Sequence, residues 1–531
     1  FSAQGGGGPP QPLPPLPVPA QNPITPQKTI LGKLLFWEEQ MSTDNRVACG
    51  TCHTFGAGGG DTRRTLNPRG PGLGDDIFAS PGVRRSDAAN DYIPDPAFGF
   101  RRQVTGRATP TFLAAGWFTE LFWDGRARSN FIDPDTGATI IPAGGALENQ
   151  ALGPLLSSAE MVHDAYSFAQ LTSKLAGVEP MALAINLPAD MANAIGGGVS
   201  YPDLFQAAFG TPTITAARIA MAIATYERTL IPNQTPYDAF VAGNPAALTP
   251  PQANGLNIFM GPGRCVICHT TGLFSDNQFH NLGLRPIAQD NGREGVTGNP
   301  ADAGRFKTPT LRNIGLRTTF MHTGQFTSMQ QVFGFYLNGG GPNLQNKAPQ
   351  IIPLNVGPQQ ANDLIDFVTN GLTDPRVAAG VAPFDRPTLR SQMLPNNGFR
   401  YGLPTAGTGG EFPSILAAVP ANRGNINFKI GVHNALGAAP ATLAISTAPG
   451  VSVLSGVNVN LAFNGGELLV PWVLNGTPGV AGDGYGTLKL VVPSDPGLSG
   501  LSLFAQWFVW DGGAAPAAVA AATPGARIDI F

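Results

Sequence analysis

Charge is scarce in this 531-residue chain: Asp, Glu, Lys and Arg make up 13% of it, and the net charge is -3. Nucleic-acid binding needs a clustered basic surface, so that partner class is excluded. Long apolar runs are missing too. No stretch of about 18 apolar residues occurs, so no membrane-spanning helix is expected. Cysteine is rarer still. There are 4, and all fall inside two copies of Cys-x-x-Cys-His, leaving none for a structural disulfide. Gly and Pro, by contrast, number 68 and 50, which predicts abundant loops. The chain opens at Phe1 without a charged and apolar leader. It is read as a mature exported product, periplasmic or extracellular, with its signal peptide removed.

The two motifs are Cys49-Gly-Thr-Cys52-His53 and Cys265-Val-Ile-Cys268-His269. In such a motif the two thiols form thioethers with haem vinyl groups, and the adjacent His reaches the iron. A thioredoxin-like redox pair needs no following His, and a pooled zinc site leaves both His residues unexplained. Two covalent c-type haems are therefore expected. Four further His exist, His163, His280, His322 and His433, and none lies between His53 and Trp123. By composition the first haem is five-coordinate, the state suited to peroxide or oxygen chemistry.

Length suggests two to four domains. Residues 1–26 are a Gly/Pro tail, extended or polyproline-like. An arm packing on a neighbouring copy in a homo-oligomer is the alternative. Residues 27–240 form the first haem domain and 241–400 the second. A helix is predicted from an N-cap at Thr215, with Ile219, Ile223, Tyr226 and Leu230 on one face. Residues 405–531 change character. Eight alternating runs, from INFKIGV to ARIDIF, are separated by turn residues and predict an antiparallel β-sandwich with a structural or docking role. Trp472, Trp507 and Trp510 there are read as core packing before hole-transfer stations. The expected fold is mainly α: two cytochrome c-like haem domains followed by the sandwich.

The segments LGKLLFWEEQMSTDNRVACGTCH, ATPTFLAAGW, FWDGRA, ENQALGPL, AEM and ATYERTL, then RCVICHTTGLFSDNQFHNLGL, FKTPTLRNIGLRTTFMHTGQF and FGFYLNGG, fall within a stretch of roughly residues 29–394. In order and spacing they resemble the bacterial di-haem cytochrome c peroxidase and MauG superfamily. The resemblance implies that Gln150 and Glu160, ten residues apart with Pro154 between them, stand over a peroxide-reactive first haem. A distal carboxylate can shuttle the proton that O–O cleavage needs. It also implies that Trp123 lies between the haems and carries holes. The His of the family's Phe-His-x-Gly motif is His322 here, and the family's peroxidases carry an axial Met fourteen residues further on. That position is Tyr336, the ligand type of MauG-like enzymes. A phenolate favours high iron oxidation states, whereas a thioether favours the reduced state. His269 and Tyr336 are the expected axial ligands of the second haem, with Met321 and Met329 as fallbacks.

Two departures follow. The family often holds Ca²⁺ between the haems through an Asn side chain and two carbonyls. The Asn position is Ala108 here, and the carbonyl positions are Arg317 and Thr319, so no Ca²⁺ or a weakened site is expected. An insertion between Gly125 and Glu148 is expected to line substrate access or an interface. The resemblance implies a MauG-like oxidoreductase that activates hydrogen peroxide and oxidises a substrate, a protein side chain being the first guess, by electron transfer through both haems. The alternatives are a cytochrome c peroxidase fed by a small redox protein, a di-haem oxygenase of the rubber-cleaving kind, and a non-catalytic electron-transfer or cell-surface cytochrome.

Overall fold

The computed structural model describes residues 9–69, 76–393, 399–514 and 518–531. Residues 1–8 of the expected tail, and 394–398 at the expected end of the second haem segment, lie outside them.

Each haem half is built on a pair of crossed helices. In the first, α1 (Pro26–Trp37) starts at Thr25, whose hydroxyl accepts the Lys28 N–H, with Pro26 pre-set for the first turn. The partner helix, α3 (Ala216–Thr229), is capped by Thr215 and buries Ile219, Ile223 and Tyr226, as its periodicity predicts. Between them in sequence lies α2 (Ala146–Leu152), which packs on α3. The second half repeats the plan with α4 (Pro250–Met260), capped by Thr249, against α6 (Pro358–Asp366), with α5 (Met329–Leu337) beside them. Both crossings need glycine. A Cβ on Gly32 would run into the Ala222 carbonyl, and one on Gly255 into the Asp363 carbonyl. Four residues beyond each glycine, Phe36 and Phe259 line the two large cavities of the haem halves.

The halves share a second repeated path. Thr109-Pro110-Thr111 and Thr308-Pro309-Thr310 are followed by Ala114 and Asn313, both left-handed, with φ 60° and 61°. Next come the 3-10 turns Ala115–Trp117 and Ile314–Leu316, then a second left-handed pair, Phe122 and Met321. The bridges Leu121 to Ala127 and Phe320 to Phe326 close matching turns. This correspondence sets Trp123 against His322, Phe118 against Arg317, and Ala108 against Lys307. The two paths hydrogen-bond reciprocally. Ala108 N–H donates to the His322 carbonyl at 2.7 Å, and Lys307 N–H to the Trp123 carbonyl at 2.8 Å.

The C-terminal region is antiparallel sheet, as the eight alternating runs predict. The hairpin of the insertion is β1 (Phe131–Ile132) and β2 (Thr139–Ile141). From residue 399 come β3 (Phe399–Tyr401), β4 (Ser414–Leu416), β5 (Phe428–Ala435), β6 (Pro440–Ser446), β7 (Pro449–Leu454) and β8 (Val457–Leu461). The last strands are β9 (Leu468–Val473), β10 (Gly484–Leu490), β11 (Ser502–Val509), β12 (Ala521–Ala522) and β13 (Gly525–Asp529). One sheet runs β4-β5-β10 and another β9-β6-β11-β13-β3, with β12 beside β11 and β7 paired with β8. Ile430, Val432 and Leu488 of the first sheet share one buried cluster with Leu443, Trp507 and Ile528 of the second. Trp507 is thus core, while Trp472 and Trp510 sit at the surface. The expectation of a mainly α chain is too strong. Helix accounts for 28% and strand for 20%, because long loops carry much of the haem halves and the sheet region is large.

The sheet region is bolted to the first half. The buried Lys429 ammonium donates to Ser86 Oγ and to both the carbonyl and Oδ1 of Asn90, at 2.7–2.9 Å. Arg46 Nη1 donates to the Ala418 carbonyl at 3.0 Å. Residues 9–25, read from sequence as a free tail or an arm for another copy, pack on this chain instead. Tyr237 Oη and Trp117 Nε1 donate to the carbonyls of Gln11 and Pro14, and Asn22 is fully buried against Glu148. The Gln11 N–H also donates to Thr271 Oγ1 at 3.1 Å, so the arm spans both halves.

Candidate haem sites and the junction between them

The first cavity is lined by Cys49, Cys52 and His53, the second by Cys265, Cys268 and His269. In each, one short helical turn places the two thiols and the imidazole on one wall. The His53 Nδ1 lies 3.1 Å from the Gly59 carbonyl, and the His269 Nδ1 lies 2.9 Å from that of Phe274. A backbone acceptor at Nδ1 holds the proton there and leaves Nε2 as the metal donor. Burial pulls the His53 pKa down to about 4 and lowers that of His269, so both rings are neutral, as a ligand must be. Two thiols and one oriented neutral imidazole per cavity fit a covalently attached haem.

The sequence-predicted distal residues converge on the first cavity. Gln150 on α2, Pro154 and Glu160 all line it. A buried fork positions α2: Arg228 of α3 donates through Nη1 and Nη2 to the two Glu148 oxygens at 2.7 and 2.8 Å. Burial raises the Glu160 pKa, with Ser157 and Arg126 working against it. Of the six His residues only His53 lines this cavity. Met161, a further soft donor, also lines it and is buried. Sequence reasoning missed Glu227, which lies on the same wall. Its carboxyl is buried, one oxygen has no hydrogen-bond partner, and burial pushes its pKa up to about 8. The helical run that contains it was legible, but not which face meets the cavity.

The second cavity collects a different set. Tyr336 lines it together with Met321 and Met329, so all three candidate axial residues share the wall of His269. Burial raises the Tyr336 pKa. No carboxylate is among the described lining residues, whereas Arg264, Arg285, Lys307 and Arg317 are. His322 is buried with an unpartnered Nε2 and stacks on Phe306 at 3.7 Å. His280 donates to Asp276 at 2.7 Å and lies near Cys268. That trio is no separate metal site, because Cys268 is spent as a haem thioether.

Trp123 lines both cavities, as do Pro110, Thr111, Lys307, Pro309 and Thr310. Its Nε1–H donates to the Ala108 carbonyl at 2.7 Å, which fixes the indole, and its ring meets His322 edge-on at 6.2 Å. Lys307 is the unpredicted member. Its Nζ lies 3.6 Å from the centre of the Phe118 ring, and burial pulls its pKa down to about 7. The residues at the family's Ca²⁺ position do not fit a divalent cation. Ala108 has no side-chain donor, and the Thr319 carbonyl already accepts from Arg317 Nε at 3.3 Å. The insertion between Gly125 and Glu148, expected to line substrate access or an interface, buries Phe131 and Ile141 in its hairpin, and its end residues Arg126 and Leu147 line the first cavity. His163 and His433 also lie away from both, His433 stacking on Phe100 at 4.8 Å.

Comparison with known proteins bears on this arrangement. The model of the di-haem cytochrome c peroxidase family matches residues 26–246. The methylamine utilization protein MauG of Methylophilus methylotrophus is 30% identical over 325 residues, 60% of this chain and 75% of that protein. MauG of Methylorubrum extorquens is 29% identical over 367 residues, 68% of this chain and 82% of that one. Cytochrome c551 peroxidase of Nitrosomonas europaea is 27% identical over 325 residues, 59% and 76% of the two chains. A solved MauG-like protein associated with microbial copper homeostasis has the same fold over 71% of this chain and 97% of its own, with TM-score 0.51 and 24% identity.

This chain belongs to the di-haem cytochrome c peroxidase and MauG family. It is accordingly an oxidoreductase that carries two covalently bound c-type haems, and the non-catalytic reading is set aside. Hydrogen peroxide is the substrate the peroxidase family implies, alongside a redox partner. Among the described residues no helix is long and apolar enough to cross a membrane.

Proposed function

We propose that the chain is a MauG-like member of this family. On this reading it is exported, draws oxidising equivalents from hydrogen peroxide at the first haem, and passes them through the second to a substrate oxidised at a distance. A protein side chain is the first candidate substrate. Bound haem supplies the redox-active iron that reduces the peroxide. Glu160 moves a proton from the near peroxide oxygen to the leaving one, and Gln150 orients the peroxide by hydrogen bonding. Burial raises the Glu160 pKa, which favours a carboxyl that must hold a proton as well as release it. Trp123, on the wall common to both cavities, is the hole-transfer station. The sheet region is a β-sandwich with a structural or docking role; the core shared by its two sheets supports the sandwich.

The observation that carries this function is Tyr336 on the second cavity's wall with His269. A phenolate ligand there stabilises the oxidised second haem and makes it a store of oxidising charge. The resting ferric protein should give one high-spin and one low-spin EPR signal. One equivalent of peroxide should diminish both together. If only the high-spin signal responds, and a small cytochrome or cupredoxin then supports fast turnover, the chain is a plain cytochrome c peroxidase. Met321 and Met329 on the same wall favour that second reading, since a thioether ligand raises the second haem's potential.

A further inference from the structure

Arg317 follows the 3-10 turn Ile314–Leu316, where the first half has Phe118. Its guanidinium ties three segments together. Nη2 donates to the Thr109 carbonyl at 2.8 Å, in the stretch that leads into the shared wall. Nε donates to the Thr319 carbonyl at 3.3 Å, just before Met321 and His322. The third segment is the loop that orients His53. A Cβ on Gly60 would stand 2.8 Å from Arg317 Nη1 and 3.0 Å from Cζ, so that loop lies directly against the guanidinium. Gly60 follows Gly59, whose carbonyl holds the His53 ring.

This cation has no acidic partner among the described residues, although it lines the second cavity. Burial alone pulls its pKa down, to about 10, which leaves it charged at any working pH. A desolvated charge without a counter-charge is costly, so a cation kept there points to negative groups that meet it in the loaded protein. Haem carboxylates are the anions the second cavity would bring. Meanwhile Ala108 offers no ligand atom, and one of the two carbonyls a metal would need is already engaged.

We propose that the Arg317 guanidinium is the standing cation of the inter-haem junction, taking the position at which relatives hold Ca²⁺. The junction is then assembled without any metal ion, and its positive charge cannot be lost to chelation or dilution. A planar guanidinium bonds two carbonyls at fixed angles, so it also sets the spacing of the segments around Trp123. The inference rests on the two haems alone and holds for either reading of the oxidation chemistry.

The test uses the haem-loaded protein. Elemental analysis of the purified wild type should find no stoichiometric Ca²⁺. EDTA followed by added CaCl₂ should leave the EPR signals of both haems and the thermal unfolding midpoint unchanged. Arg317→Gln keeps hydrogen-bond donors and removes the charge. It should lower the second haem's midpoint potential, because loss of a nearby positive charge favours the ferric form, while Arg317→Lys should stay near the wild type. One Ca²⁺ per wild-type chain, removed by EDTA with a change in either EPR signal, would overturn the proposal. So would a second-haem potential unmoved in Arg317→Gln. If Arg317→Gln does not mature, the wild-type metal and chelator measurements and Arg317→Lys decide the question.

Discussion

The two haem halves share a plan and differ in what they put around it. Both cross two helices at a glycine, both hold a proximal imidazole by a backbone carbonyl at Nδ1, and both follow the same path after Thr-Pro-Thr. The walls then diverge. The first cavity has the carboxyls of Glu160, Glu227 and Asp290, and only its proximal His. The second has no carboxylate among its described lining residues and adds Tyr336 with two Met residues, while basic side chains line both cavities. The repeated scaffold attaches haem, and the substituted positions set each haem's chemistry. Where the first half has Trp123 and Phe118, the second has His322 and Arg317. One substituted pair thus sets an electron-rich indole against an imidazole, and the other an apolar ring against a cation.

Substitutions that act on one half only would sharpen this contrast. The largest effect is expected from Glu160→Gln. Peroxide turnover should fall about 10²- to 10⁴-fold, the usual worth of a proton shuttle, while the second haem's spectrum stays unchanged. In the wild type that activity should decline as pH falls through the raised Glu160 pKa, because the protonated carboxyl no longer accepts a proton. A pH–rate profile with the ordinary carboxylate midpoint would remove Glu160 from that role.

Trp123→Phe comes next. It keeps the packing but is harder to oxidise, so electron transfer between the haems should slow by roughly tenfold, about 1.4 kcal/mol of barrier. His322→Phe, at the matching place in the second half, should leave that rate closer to wild type. Stopped-flow traces in which the two variants slow equally would break the assigned asymmetry.

The glycine crossings should behave alike, because the scaffold is the shared part. Gly32→Ala and Gly255→Ala each force a methyl group into a partner-helix carbonyl. Each should cost about 1–3 kcal/mol, read as a lower unfolding midpoint of the haem-loaded protein. A marked difference between them would show that the halves are not equally dependent on close crossing.

A pH-dependent effect is expected at Glu227, whose raised pKa is a stability statement. The folded state keeps this proton above the unfolded pKa of about 4.3, so stability falls as pH rises from there towards about 8. Glu227→Gln should remove that slope. Thermal melts should show a gain at pH 8 and little change at pH 5, and an unchanged slope would mean the carboxyl is already ionised or paired.

Attachment chemistry, helix caps and strands were legible in the chain because each is written within a few residues. Cys-x-x-Cys-His specifies a thioether pair and its ligand, Thr215 caps the helix that follows it, and alternation marks strands β5 to β11 and β13. The resemblance added Gln150, Glu160 and Tyr336, and tertiary structure gathered them at the expected cavities. Only the fold could decide which residues face both haems. Lys307 and Trp123 lie far apart in sequence and meet through the hydrogen bond from the Lys307 N–H to the Trp123 carbonyl. The same holds for the arm, whose Pro-rich composition predicts extension but not its partners, and for Arg317, an ordinary surface residue by composition. Its bonds to Thr109 and Thr319 and the close approach of Gly60 bring three separate segments to one guanidinium. Local sequence governs backbone preference and covalent chemistry, while the burial and charge neighbours that tune a haem come from contacts between distant segments, which only the packed chain creates.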